Sequence, residues 1–181
     1  MNMGLTIREI NRYRGRVVCG RGWYARRVAG GLALSALGDA LLVWPHTFVW
    51  GMAAFAGAHV LYVAAFGGRR RAWALGGALY GAAAACVWRL APPPGLRALV
   101  PPYALLLATM AWRGAARGGA AAPGALLFLL SDAILGYSLF AAPVPYRQVL
   151  VMSTYYLGQL GIALSALAPP EKVKRSLMNC K

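Results

Sequence analysis

The chain has 181 residues, 60% hydrophobic and 13% charged, with a mean hydropathy of +0.54. An ordinary soluble domain carries about 25% charged residues, so this composition excludes one. Apolar runs of about 17–20 residues recur without alternation, which selects membrane-spanning helices over a barrel. The net charge of +15 lies between those runs. It reads as membrane topology, not as a nucleic-acid surface, because no recognition motif or basic–aromatic groove accompanies it.

Taken in chain order, residues 1–27 form a basic arm with seven arginines and one acid, Glu9. No cleavable signal peptide is expected there, so the first span serves as its own insertion signal. Span one is predicted over 28–44, and Pro45, His46 and Thr47 make a tight connection to span two, 49–66. The run "GGRRR" (67–71) separates span two from span three, 72–88. A proline-stiffened loop, 89–97, leads to span four, 98–112, with Pro101 and Pro102 near its start. Residues 113–124 read as a flexible loop whose alanines can join span five, 121–142. Residues 143–148 link to span six, 149–168, and 169–181 form a polar tail. The expected fold is all-α: one polytopic bundle of about six spans over 28–168, between a basic arm and a polar tail.

Six spans place alternate loops on opposite sides of the membrane. Sixteen of the Lys and Arg residues then fall on the side of the two termini, and Arg89, Arg97 and Arg147 fall on the other. The positive-inside rule assigns both termini to the cytoplasm. Small residues thin one face of two spans: Gly31, Ser35 and Gly38 on the first, Gly158, Gly161 and Ser165 on the sixth. Such faces let helix backbones approach closely in lipid.

The four acidic residues of the chain include two set inside apolar runs. They are Asp39 in "LSALGDALLVWP" and Asp132 in "LLFLLSDAILGYSLF". A charged carboxylate at mid-bilayer costs about 3 kcal/mol on insertion scales, so an intramembrane acid points to function. Each lies 11 residues past the start of its predicted span, roughly 16 Å of helix rise. Spans one and five run in the same direction, so the two acids can meet at similar depth. Their surroundings correspond as well, "GDALL" to "SDAIL", which suggests a diverged internal repeat. After Asp39 come Phe55, His59 and Tyr62 on one helical face. After Asp132 come Tyr155, Tyr156 and Gln159.

Two close carboxyls push their titrations apart, leaving one protonated and one ionised. Such a pair can donate a proton to a substrate, stabilise the cation formed, or activate water. Asp39 and Asp132 are therefore the candidate catalytic residues, with His59, Tyr62, Tyr155 and Gln159 as substrate-binding or supporting groups. Two histidines without a third ligand do not make a zinc site, and Cys19, Cys86 and Cys180 lack metal-ligand spacing, so no metal or cofactor is expected.

The segments "GDALLVWP", "GMAAFAGAHVLYVAAF", "GALLFLLSDAIL" and "VMSTYYLGQLGIALSAL" resemble the YhhN-like membrane family, which includes animal lysoplasmalogenase. The resemblance covers about residues 30–168. It implies a multi-pass enzyme of the endoplasmic reticulum membrane that hydrolyses the vinyl ether bond of a lysophospholipid. The products would be a fatty aldehyde and glycerophosphocholine or glycerophosphoethanolamine, formed without a cofactor. Family members usually have about eight spans, so the resemblance places the two spans this chain lacks ahead of span one. Paired intramembrane carboxylates also suit a proton-coupled transporter of a small molecule or lipid, which is the competing expectation.

Overall fold

The computed structural model describes the backbone of residues 7–67 and 72–167, and the side chains of 22–67 and 72–167. The arginines of 69–71 and the tail 169–181 lie outside the described residues. Six α-helices follow one another: α1 (Ile7–Leu42), α2 (Phe48–Phe66), α3 (Trp73–Arg89), α4 (Val100–Arg117), α5 (Ala121–Phe140) and α6 (Arg147–Leu167). One 3-10 turn, Pro45–Thr47, joins α1 to α2. The all-helical bundle is the architecture expected. Three of its helices, α2 with its leading turn, α5 and α6, are long and apolar enough to cross a membrane. The apolar stretches of α1 and α4 share their helices with arginines, and α3 has 17 residues.

Two boundaries differ from the expectation. Helix α1 starts at Ile7, well ahead of the span start at 28, because no proline interrupts the arginine-rich segment and arginine is a good helix former. Helix α4 runs on to Arg117, so the expected loop of 113–124 shrinks to three residues. Gly118 and Gly119 end the helix in left-handed backbone, with φ of 80° and 61°. Pro101 and Pro102 sit in the first turn of α4, where a missing N–H removes no intrahelical bond.

Helices α1, α2, α4, α5 and α6 close a ring. Each packs on the next in the order α1–α2–α4–α5–α6–α1, and α3 lies outside against α4. The small-residue faces are what let the ring close. A Cβ on Gly124 of α5 would lie 2.7 Å from the backbone nitrogen of Ile162, and one on Gly158 of α6 2.9 Å from that of Phe128. The α5 and α6 backbones are therefore in direct contact, the arrangement lipid-embedded helices use when no hydrophobic effect drives them together. On α1, Gly38 does the same for the Phe55 ring, and Ser35 is buried.

Outward faces carry Trp50, Leu126, Leu130, Leu160 and Leu164, all exposed. A surface so apolar requires lipid rather than water. At the end of the bundle where α2 and α4 finish, Tyr24 holds Ser165 at 2.6 Å and lies under the guanidinium of Arg117. The indole N–H of Trp112 donates to the Ala72 carbonyl at 2.8 Å, which fastens the start of α3.

Candidate active site

A cavity of about 320 Å³ occupies the opposite end of the bundle. Its walls come from the C-terminal halves of α1, α3 and α5 and the N-terminal halves of α2, α4 and α6. This is the end bearing the loops of Arg97 and Tyr146, away from Arg113 and Arg117. Most of the lining is aliphatic or aromatic. Against that apolar wall stand Asp39 and Asp132, both lining the same space. The parallel, depth-matched helices inferred from sequence do bring the two acids together.

Each carboxylate accepts a hydrogen bond from a tyrosine on another helix. Tyr155 of α6 donates to Asp39 Oδ2 at 2.8 Å. Gln159, one turn further along α6, donates from Nε2 to the Tyr155 hydroxyl at 3.0 Å. Tyr62 of α2 donates to Gln159 Oε1, also at 3.0 Å. The three donations run in one direction, from Tyr62 through Gln159 and Tyr155 to Asp39. Four of the residues expected at the site thus form one chain.

Asp132 heads a second chain. Tyr103 of α4 donates to its Oδ2 at 2.7 Å. Because that hydroxyl proton is committed to Asp132, the 3.2 Å contact between His59 Nε2 and the Tyr103 oxygen has His59 as donor. His59 Nε2 also lies 3.8 Å from Asp132 Oδ2. The histidine is fully buried, and its Nδ1 finds no hydrogen-bond partner among the described residues. The fourth expected supporting group, His59, therefore serves Asp132 and not Asp39.

Phe128 separates and braces the two chains. It is fully buried, with ring centroids 5.0 Å from His59 and 5.3 Å from Tyr155, both edge-on. Phe55 packs against Phe128 and Tyr155 from α2. Ser131, next to Asp132, is buried and donates to the Val151 carbonyl at 3.1 Å, which fixes the α5–α6 register beside the acid. Such packing holds the tyrosine hydroxyls in place, which a pre-organised site requires.

Sequence reasoning missed Tyr103 and Phe128. Tyr103 follows two prolines at the start of span four, and its role depends on α4 crossing α5. Phe128 lies four residues before Asp132, hence on the same helical face, but one phenylalanine among leucines carries no distinguishing mark. Tyr156 is 62% exposed and stands outside the site. Asp39, expected to be buried, is exposed on the protein surface because it faces the cavity, whereas Asp132 is half-buried. Among the described residues, no three His, Cys, Asp or Glu side chains gather as metal ligands.

The fold and site define a helical membrane protein with two carboxylates at the wall of a largely apolar cavity. The chain belongs to the YhhN family, whose model matches residues 17–166. It is 46% identical over 162 residues to lysoplasmalogenase TMEM86B of Sus scrofa, covering 86% of this chain and 70% of that protein. To lysoplasmalogenase TMEM86B of Homo sapiens it is 44% identical, over 82% of this chain and 67% of the relative. To lysoplasmalogenase TMEM86A of Homo sapiens it is 37% identical, over 83% and 69% respectively. No solved structure matches the chain.

Proposed function

We propose that this protein hydrolyses the vinyl ether bond of lysoplasmalogens, releasing a fatty aldehyde and glycerophosphocholine or glycerophosphoethanolamine. The observation that carries the reading is the placement of Asp39 and Asp132 on one cavity whose remaining wall is mostly apolar. Relatives named as lysoplasmalogenases support it. They do not favour the transporter reading.

Vinyl ethers hydrolyse through slow protonation of the β-carbon. We divide that task between the two acids by their surroundings. Asp132 Oδ2 accepts from the Tyr103 hydroxyl at 2.7 Å, and that hydroxyl in turn accepts the His59 N–H at 3.2 Å, a relay that stabilises negative charge there. It serves as the carboxylate. Asp39 receives one donor, on Oδ2, and faces the cavity. It serves as the acid, giving its proton to the β-carbon as the double bond becomes an oxocarbenium ion. The Asp132 carboxylate stabilises that cation. Water then adds to the α-carbon and returns a proton to Asp39. The hemiacetal expels the glycerol oxygen, which takes up the hydroxyl proton, and aldehyde remains. Neither acid is consumed.

The protein is a multi-pass membrane protein that meets its lysophospholipid within the bilayer. We assign it to the endoplasmic reticulum membrane, as the family resemblance implies, with both termini in the cytoplasm on the strength of the charge asymmetry of its loops. The cavity then lies in the lumenal half of the bundle. The deciding experiment follows aldehyde release from a lysoplasmalogen by purified protein in detergent, for wild type, Asp39→Asn and Asp132→Asn. A fall of about a hundredfold or more in each variant, with unfolding temperature retained, is expected. Full activity in either variant, or none from a well-folded wild type, overturns the reading.

A further inference from the structure

A second cavity, of about 830 Å³, adjoins the first. The two share the side chains of Ala83, Val87, Leu90, Val100 and Ala104, on or beside α3 and α4. The shared wall is small and apolar. Tyr103 stands between Val100 and Ala104, and its hydroxyl donates to Asp132. The shared wall thus lies on the turn of α4 whose tyrosine holds Asp132. Beyond the junction, the second cavity runs under the loop between α3 and α4, and Arg97 is the charged side chain on its lining.

Arg97 is held in a defined way. Its Nε donates to the Pro92 carbonyl at 3.2 Å, within the proline-rich loop "APPPGLR". No carboxylate pairs with it among the described residues. One edge of the guanidinium is therefore fastened to the loop, and the terminal nitrogens remain for a ligand. A planar guanidinium matches the oxygens of a phosphate with two parallel hydrogen bonds.

We propose that Arg97 binds the phosphate of the lysophospholipid. The vinyl ether then sits at Asp39 and Asp132, the hydrocarbon chain fills the first cavity, and the glycerol crosses the junction into the second. The proposal rests on the lysoplasmalogenase reading for the identity of the ligand. It explains how a site whose reacting groups are acids accepts a lipid bearing a negative phosphate, since a cation offsets the repulsion at that group. Arg97 is a binding residue and takes no part in proton transfer.

The test measures equilibrium binding to protein in lipid nanodiscs. The probes are an alkyl-ether lysophosphocholine, which cannot be cleaved, and the matching alkylglycerol without phosphate. Arg97→Ala is expected to weaken the lysophosphocholine about tenfold or more and to leave the alkylglycerol unchanged. Arg97→Lys, which keeps the charge without the fork, is expected to recover part of that loss. Equal weakening of both probes, or unchanged lysophosphocholine binding, overturns the proposal. Aldehyde release by the wild type, measured separately, decides the hydrolase reading, so the two can fail independently.

Discussion

Tyr155 of α6 donates to Asp39 of α1 across 116 residues of sequence. The corresponding bond, from Tyr103 to Asp132, likewise leaves the hairpin that carries the acid. Helices α1 and α2 form one tightly packed hairpin and α5 and α6 another. Each acid is thus oriented by side chains from outside its own hairpin, Asp39 by α6 and Asp132 by α4 and α2. The site exists only when the ring closes, which couples catalysis to assembly of the bundle.

Removing the Tyr155 hydroxyl tests the first chain. Tyr155→Phe keeps the ring packed on Phe55 and Phe128 but strips Asp39 of its donor and Gln159 of its acceptor. Asp39 becomes a carboxylate as it gives up its proton, and a hydrogen bond to a charged group contributes about 1.5–3 kcal/mol. The variant is therefore expected to lose about tenfold or more in kcat with little change in unfolding temperature. Gln159→Leu, one bond further from the acid, loses less. In the double variant the losses fall short of adding, because both substitutions break one chain. Aldehyde-release kinetics on the three proteins check the order.

Phe128 carries stability instead. It is fully buried and touches the aromatic rings of Phe55, His59, Tyr62 and Tyr155. Phe128→Ala opens a void between the two hydrogen-bonded chains and is expected to cost about 3–5 kcal/mol. Denaturant unfolding in detergent gives the figure. Phe128→Leu, which refills most of the void, is expected to lose clearly less.

Two glycine substitutions of opposite sign test the α5–α6 contact. Gly158→Ala places a Cβ 2.9 Å from the Phe128 backbone nitrogen, which cannot swing aside, so the helices must part. A fall in unfolding temperature is expected. Gly77→Ala meets nothing within 4 Å on α3 and gains helix propensity of up to about 1 kcal/mol. It is expected to leave the temperature unchanged or raise it. If both behave alike, close backbone packing is not what holds α5 to α6.

The parts of this site that were legible in the sequence are those that physics makes expensive. Asp39 and Asp132 stand out because a carboxylate in an apolar run must be compensated. His59, Tyr62 and Gln159 stand out because they are polar at helical spacing. What the spacing cannot tell is the partner. Tyr62 and His59 share a face of α2, yet one reaches Gln159 and the other Tyr103, since the choice depends on where α4 and α6 cross. Tyr103 was illegible for the same reason. The early start of α1 was hidden because a charge-rich segment reads as an arm whether or not its backbone is helical.

The hydrocarbon arm of the cavity gives the last prediction. Gly136 of α5 lines it, one turn beyond Asp132, and a Cβ there would meet only Leu90 Cδ1, at 4.0 Å. A larger side chain at 136 can therefore enter the cavity without displacing backbone, and loss of a helical glycine favours the fold. Gly136→Phe is expected to fold at least as well as the wild type and to shorten the space for the alkenyl chain. Each methylene denied burial costs about 0.8 kcal/mol. Exclusion of two or three of them shifts kcat/KM toward short-chain over long-chain lysoplasmalogens by about tenfold or more. Competition between two chain lengths in one reaction, read by the ratio of aldehydes released, measures the shift directly. A uniform fall across chain lengths would place the hydrocarbon elsewhere and leave the cavity to the headgroup alone.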